Sequence, residues 1–123
     1  MYDELLLREK LEQIMEAVER INRRFAGITT PNDFQATDIN HDRLDAIAML
    51  LIAVGESFKK IDKETEGLFL KKYPEIDWKG VVGVRNILAH DYFDIDVDVI
   101  YKICQRDIPQ LKKILEQMLS AVN

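Results

Sequence analysis

The chain has one cysteine and two histidines among its 123 residues, and these shortages remove whole classes of chemistry. Cys104 has no partner for an intramolecular disulfide and stands at an apolar helical position, so a packing role in a reducing, cytoplasmic compartment is expected. His41 and His90 lack the helix-spaced His and carboxylate companions of a dedicated zinc or di-iron site. There is no Walker loop and no dinucleotide glycine fingerprint, so neither a metal nor a cofactor is expected. A basic excess is also missing: 17 Lys and Arg stand against 22 Asp and Glu, a formal charge of -5. Any nucleic-acid contact must therefore come from a local patch. The longest apolar run, Ala46 to Val54, falls far short of the ~20 residues that a membrane helix needs. The start, Met1-Tyr2-Asp3-Glu4, does not show the basic and then apolar pattern of a secretion signal. Residues 1–123 read as a single cytoplasmic domain, long enough to bury a core without staples.

What is present is mostly helical periodicity. From Tyr2 to Phe25, Leu7, Leu11, Ile14, Val18, Ile21 and Phe25 recur at steps of four and three, which predicts an amphipathic helix. Its solvated face carries Glu9, Glu12, Glu16, Glu19, Arg20 and Arg23. Gly27 to Asn40 breaks the period with Thr29, Thr30, Pro31, Asn32 and Asp33, and is expected to be a loop ending in an N-cap at Thr37 or Asp38. A second helix is predicted over about Asn40 to Asp62, with Leu44, Ile47, Leu51, Val54, Phe58 and Ile61 on one face. Met49, Ile52 and Ala53 make a second apolar face with Glu56 among them, so this helix is either central in a bundle or shared with a partner subunit. Glu56 then needs a cationic partner, because an unpaired buried carboxylate gives up its charge.

Lys63 to Lys72 is expected to form a short helix anchored by Leu68 and Phe69. Asp77 is the predicted N-cap of a third helix running from Trp78 toward Ala89. On it Trp78, Val81, Val82, Leu88 and Ala89 share a side, with Arg85 facing inward in the middle of that side. Gly80 and Gly83 are expected to permit close backbone approach. Read as the GxxG loop of a KH module they would bind nucleic acid, but the neighbouring pattern is helical where that module needs strands. Asp94 and Asp96 offer N-caps for a final helix. Its apolar positions, from Ile100, Ile103 and Cys104 to Leu115, Met118 and Val122, keep one phase across Pro109. That predicts one long helix, kinked where the carbonyl of Gln105 loses its donor. The whole is an all-α antiparallel bundle of four main helices, with a short connecting helix and a long kinked C-terminal helix.

The stretch Val84 to Phe93 gathers the chemistry, with Arg85, His90 and Tyr92 close together in apolar surroundings. On an unbroken helix His90 lies about 140° round from Arg85. The two cooperate only if the helix ends near Ala89 and turns His90 back, or if a second chain completes the pair across a two-fold interface. Arg85 offers a permanently charged fork for phosphate oxygens, and His90 an imidazole that moves a proton near neutral pH. Together they suffice for cleaving RNA without a metal: a base takes the proton of the ribose 2′-hydroxyl, that oxygen attacks the adjacent phosphate, and the arginine stabilises the developing charge. Plainer roles fit the same residues. Arg85 and Glu56 would make a structural ion pair, His90 a helix-end cap and Tyr92 a half-buried aromatic with a wet hydroxyl. His41, beside Asp42, reads as surface.

Arg85, four residues, His90, one residue and Tyr92 together resemble the signature of HEPN-superfamily proteins of the HepT type. The likeness extends through Val54-Gly55-Glu56-Ser57, Tyr73-Pro74-Glu75-Ile76-Asp77-Trp78, Tyr92-Phe93-Asp94-Ile95-Asp96 and Asp107-Ile108-Pro109. It implies an all-α HEPN bundle that forms a homodimer around a shared cleft. The implied activity is that of a metal-independent endoribonuclease toxin, with Arg85 and His90 as the catalytic pair and Asn86 as a polar neighbour. The implied partners are an RNA substrate and a nucleotidyltransferase-fold antitoxin, which would adenylylate Tyr92 and so place phosphate charge and bulk beside Arg85. A different class also fits the resemblance: a non-catalytic nucleotide- or RNA-binding module serving such a nucleotidyltransferase. Lys59, Lys60, Lys63, Lys71, Lys72 and Lys79 are the candidates for a basic rim, or else ordinary solvated surface.

Overall fold

The computed structural model describes residues 3–90 and 92–122, with the side chains of all of these except residues 89, 90 and 92. No strand occurs among the described residues. Helix α1, Glu4–Phe25, starts at Asp3, whose carboxylate accepts hydrogen bonds from the amides of Leu5 and Leu6. Its predicted apolar line, Leu7, Leu11, Ile14, Val18 and Ile21, is buried, each side chain contributing about 1.5–3 kcal/mol. Beyond it, the expected loop contains a one-turn helix, α2, Asp33–Ala36, which drops Phe34 into the core. One large apolar residue in four positions has no visible period, so sequence pattern does not reveal it. The Asp33 carboxylate accepts from the amides and hydroxyls of both Thr29 and Thr30, which hold it down to about 2.

Thr37 caps helix α3, Asp38–Glu64, its hydroxyl accepting from the Asn40 amide. All six residues of its predicted core face are buried. The second apolar face is not central: Met49 is 68% exposed, Ala53 is exposed and Ile52 is half-buried. The short helix expected over Lys63 to Lys72 is not formed as such. The chain leaves α3 through Glu66 and Gly67, both left-handed at φ 55° and 76°, with the Gly67 amide donating to the Asp62 carbonyl. Only a 3₁₀ turn, Leu70–Lys72, follows. Its anchors are Phe69 and Leu70, both buried, while Leu68 is 58% exposed because it directly follows the left-handed pair.

Helix α4, Trp78–His90, begins as predicted after Asp77, whose carboxylate accepts from the Gly80 amide. A side chain at Gly80 would meet that carboxylate at 2.6 Å, so Gly80 makes room for the cap, not for a neighbouring helix. A Cβ at Gly83 would meet nothing within 4 Å among the described residues, so the expected close approach is absent there. After a 3₁₀ turn at Tyr92–Asp94, Asp96 caps helix α5, Val97–Lys102, accepting from the Asp98 amide. The helical path continues through a π segment, Ile103–Asp107, into α6, Ile108–Ala121. The Ile108 amide reaches back to the Ile103 carbonyl. This wider turn relieves the clash that the Pro109 ring would have with the preceding turn, and it lets the apolar phase persist across the proline. Cys104 is buried, and burial pushes its thiol up to about 12, which suits the packing role.

The rods run antiparallel. At one end of the pair Lys10 pairs with Glu64, and at the other the Arg43 guanidinium donates to the Ala26 carbonyl, so α1 and α3 oppose each other. Arg8 donates to the carbonyls of Leu119 and Val122, while Tyr101 meets Phe25 edge-on at 5.3 Å. These contacts set the α5–α6 rod antiparallel to α1. Helix α4 lies antiparallel along α3, with Trp78 against Phe58 and Val81 and Val84 opposite Gly55. Among the described residues, no helix is long and apolar enough to cross a membrane.

Candidate functional site

The site begins with a glycine. A Cβ at Gly55 would sit 2.7 Å from the Val81 carbonyl oxygen and 3.2 Å from Val84 Cγ1, so α3 and α4 meet there almost backbone to backbone. That contact sets the neighbouring Glu56 opposite Arg85. The Arg85 Nη1 donates to Glu56 Oε1 at 3.2 Å, and among the described residues this single contact leaves the rest of the guanidinium fork open.

Arg85 does not face inward. Its side chain is 59% exposed and that of Glu56 36% exposed. The buried line of α4 is Val84 and Leu88, while Trp78, Val81 and Val82 are half-buried. At about 100° per residue, Trp78, Val82 and Arg85 form the next row round the helix, and this row borders an open groove of about 480 Å³. The groove is lined by Glu56, Lys59, Asp62 and Leu70 on one side, and by Trp78, Lys79, Val82, Gly83, Arg85 and Asn86 on the other. An ion pair this exposed contributes about 0–1 kcal/mol. Glu56 is therefore not the buried acid that the helical projection suggested, and losing Arg85 would not strand it.

The groove brings together three of the sequence-derived site residues, Arg85, Asn86 and Glu56. The side chains of His90 and Tyr92 lie outside the described residues. The backbone nonetheless bears on them, since α4 stays helical through His90 and does not break at Ala89. Positions 85 and 90 thus keep the separation of about 140° that a continuous helix imposes. Of the six lysines read as a rim, Lys59 and Lys79 line the groove and Lys60, Lys63, Lys71 and Lys72 do not; Lys72 lies over the Phe69 ring, 5.9 Å from its centre. His41 is exposed, 3.9 Å from Asp45. Reasoning from sequence treated Trp78 as apolar filling and passed over Asp62. The available signal was the pairing of register, with Glu56 and Lys59 three apart on one helix and Trp78, Val82 and Arg85 in a row on the other. Among the described residues, no group of three or more His, Cys, Asp or Glu is placed to hold a metal ion.

Chemically, the groove offers a cationic fork beside an amide and two lysines, enough to hold a phosphate and an adjoining polar group. Known proteins point the same way. A family described as HepT-like ribonuclease matches residues 11–118. A protein of Methanocaldococcus jannaschii with a provisional RNase name is 39% identical over 58% of this chain, and the match spans 62% of that protein's length. Two others match nearly end to end. One, from Caldanaerobacter subterraneus and also provisionally named an RNase, is 30% identical over 91% of this chain and 93% of its own. The other, from Thermococcus cleftensis and provisionally named ribonuclease HepT, is 32% identical over 90% and 94%. No solved structure matches the chain significantly. With the family match covering most of its length, and an all-α bundle presenting Arg85 at an open groove, the chain belongs to the HepT-like ribonuclease family.

Proposed function

We propose that this chain is a metal-independent endoribonuclease, the toxin half of a pair whose antitoxin has the nucleotidyltransferase fold. The observation that carries the reading is Arg85, which stands at the groove with most of its donors open among the described residues, in a chain of the HepT-like ribonuclease family. In this reading His90 takes the proton of a ribose 2′-hydroxyl. The 2′-oxygen bonds to the adjacent phosphorus, the bond from phosphorus to the 5′-oxygen breaks, and the proton returns to that leaving oxygen. Arg85 stabilises the charge on the phosphoryl oxygens, Asn86 donates beside it, and Glu56 holds the guanidinium in place. The products are a 2′,3′-cyclic phosphate and a 5′-hydroxyl.

The reading includes a homodimer. On the outer face of α3, among the described residues, Met49 and Ala53 are exposed and Ile52 is half-buried, and this face adjoins Glu56. A two-fold contact there would bring a second motif to the groove, which supports cooperation between an arginine and a histidine that one continuous helix keeps apart. Purified protein is expected to cleave single-stranded RNA at an unchanged rate in EDTA, and to leave a substrate with a 2′-deoxy scissile ribose intact. Loss of activity in EDTA would point instead to a metal mechanism, and cutting of the deoxy substrate would exclude 2′-oxygen attack. Co-expression with a nucleotidyltransferase-fold partner is expected to add adenylyl mass that disappears in Tyr92→Phe. Persistence of that mass in Tyr92→Phe would move the modification to another residue.

A further inference from the structure

The groove beside Arg85 is longer than one phosphate requires, and its far part has a composition of its own. Trp78 is fixed there from two directions: its ring packs on the fully buried Phe58, centres 4.8 Å apart, and its indole N–H donates to the Tyr73 carbonyl at 2.9 Å. What is left of the half-buried ring lines the groove, flanked by Lys59 from α3 and Lys79 from α4. Both lysines are exposed, and neither forms an ion pair among the described residues. A fixed aromatic ring, set between two exposed cations and about two turns along the same helical row from an arginine, has the make-up of a single-strand nucleic-acid subsite. Bases stack on such a ring whatever their sequence, and the lysines take the backbone phosphates.

We infer that Trp78, Lys59 and Lys79 form a binding subsite for the nucleotide next to the scissile one, with its base on the Trp78 ring and its phosphate between the lysines. This rests on the RNA-cleaving reading of Arg85 and extends it to how the strand is held. It also bears on the acidic net charge of -5. The groove carries three cations, Lys59, Lys79 and Arg85, against two acids, Glu56 and Asp62, and Glu56 is already engaged by Arg85. A short strand of RNA therefore meets a locally cationic path on an acidic molecule.

Trp78 is the only tryptophan in the chain, so its fluorescence reports on this place alone. The probe is a single-stranded, fully 2′-O-methylated heptaribonucleotide, which keeps bases and phosphates but lacks the attacking hydroxyl. Binding is expected to quench the fluorescence, whereas the same backbone with abasic positions should bind roughly tenfold more weakly with little quenching. Lys59→Glu and Lys79→Glu, both exposed changes, should each weaken binding several-fold and flatten its salt dependence. In the cleavage assay the same variants should raise KM more than they lower kcat. Quenching that depends on the lysines in a protein that does not cut RNA would uphold the subsite and remove the catalytic reading. Cleavage by wild type with no quenching, and with KM unchanged in both lysine variants, would overturn the subsite and leave the catalytic reading standing.

Discussion

Replacing Arg85 by alanine is expected to lower the rate of RNA cleavage by about 10²–10³-fold, the usual effect of removing one pre-set donor from a developing oxyanion. The same change should cost less than about 1 kcal/mol of stability, because the pair it breaks is largely exposed. The combination separates the catalytic reading from the structural one. If Arg85 served only to hold Glu56, the variant would lose equally little stability, and each folded molecule would cut RNA at the wild-type rate. Here the helical circular dichroism and thermal midpoint should stay near wild type while the activity goes. Initial rates on single-stranded RNA, taken beside a melting curve, check both halves. Wild-type rates from a well-folded Arg85→Ala would end the assignment of Arg85 to catalysis.

The second large effect concerns Gly55. A valine there must place its Cβ 2.7 Å from the Val81 carbonyl, inside any permissible contact, so α3 and α4 have to separate. About 3 kcal/mol of stability should be lost, and the melting midpoint should fall by roughly 10 °C. Because the same contact sets Glu56 opposite Arg85, activity should fall further than stability alone explains. Gly83→Ala provides the opposite control. Nothing stands within 4 Å of its added methyl group, so better helix propensity should stabilise the protein by up to about 1 kcal/mol. Equal melting midpoints for Gly55→Val and wild type would show that the two helices are not in backbone contact.

These two glycines also mark where the sequence is legible and where it is not. Helix periodicity identifies the core lines of α1 and α3 and the continuity of the last helix, because burial in a bundle repeats every three or four residues. Caps at Thr37, Asp77 and Asp96 are readable too, since each is a short polar side chain at the start of such a pattern. Gly55 cannot be distinguished from Gly83 in the same way, because what matters is the element opposite, which the local sequence does not contain. Arg85 illustrates the same limit. Its place on an apolar stripe predicted burial, but α4 is covered along the Val84 and Leu88 line and open along the adjoining row. One helical step of about 100° separates a buried guanidinium from one at a groove. The π segment is likewise a tertiary answer to a local fact: Pro109 announces a disturbance, and packing decides that it is absorbed as a wide turn. The motif itself, Arg85 through Tyr92, is visible in the sequence, yet Glu56, Lys59 and Asp62 on the opposite wall of the groove come from more than twenty positions upstream.

The most direct measurement is the initial rate of single-stranded RNA cleavage by His90→Ala against wild type, at equal concentration of folded protein. A fall of about 10²–10⁴-fold is predicted, the range for loss of a positioned general base, with unchanged binding of the 2′-O-methylated probe. A His90→Ala protein that cuts RNA as fast as wild type would contradict the account.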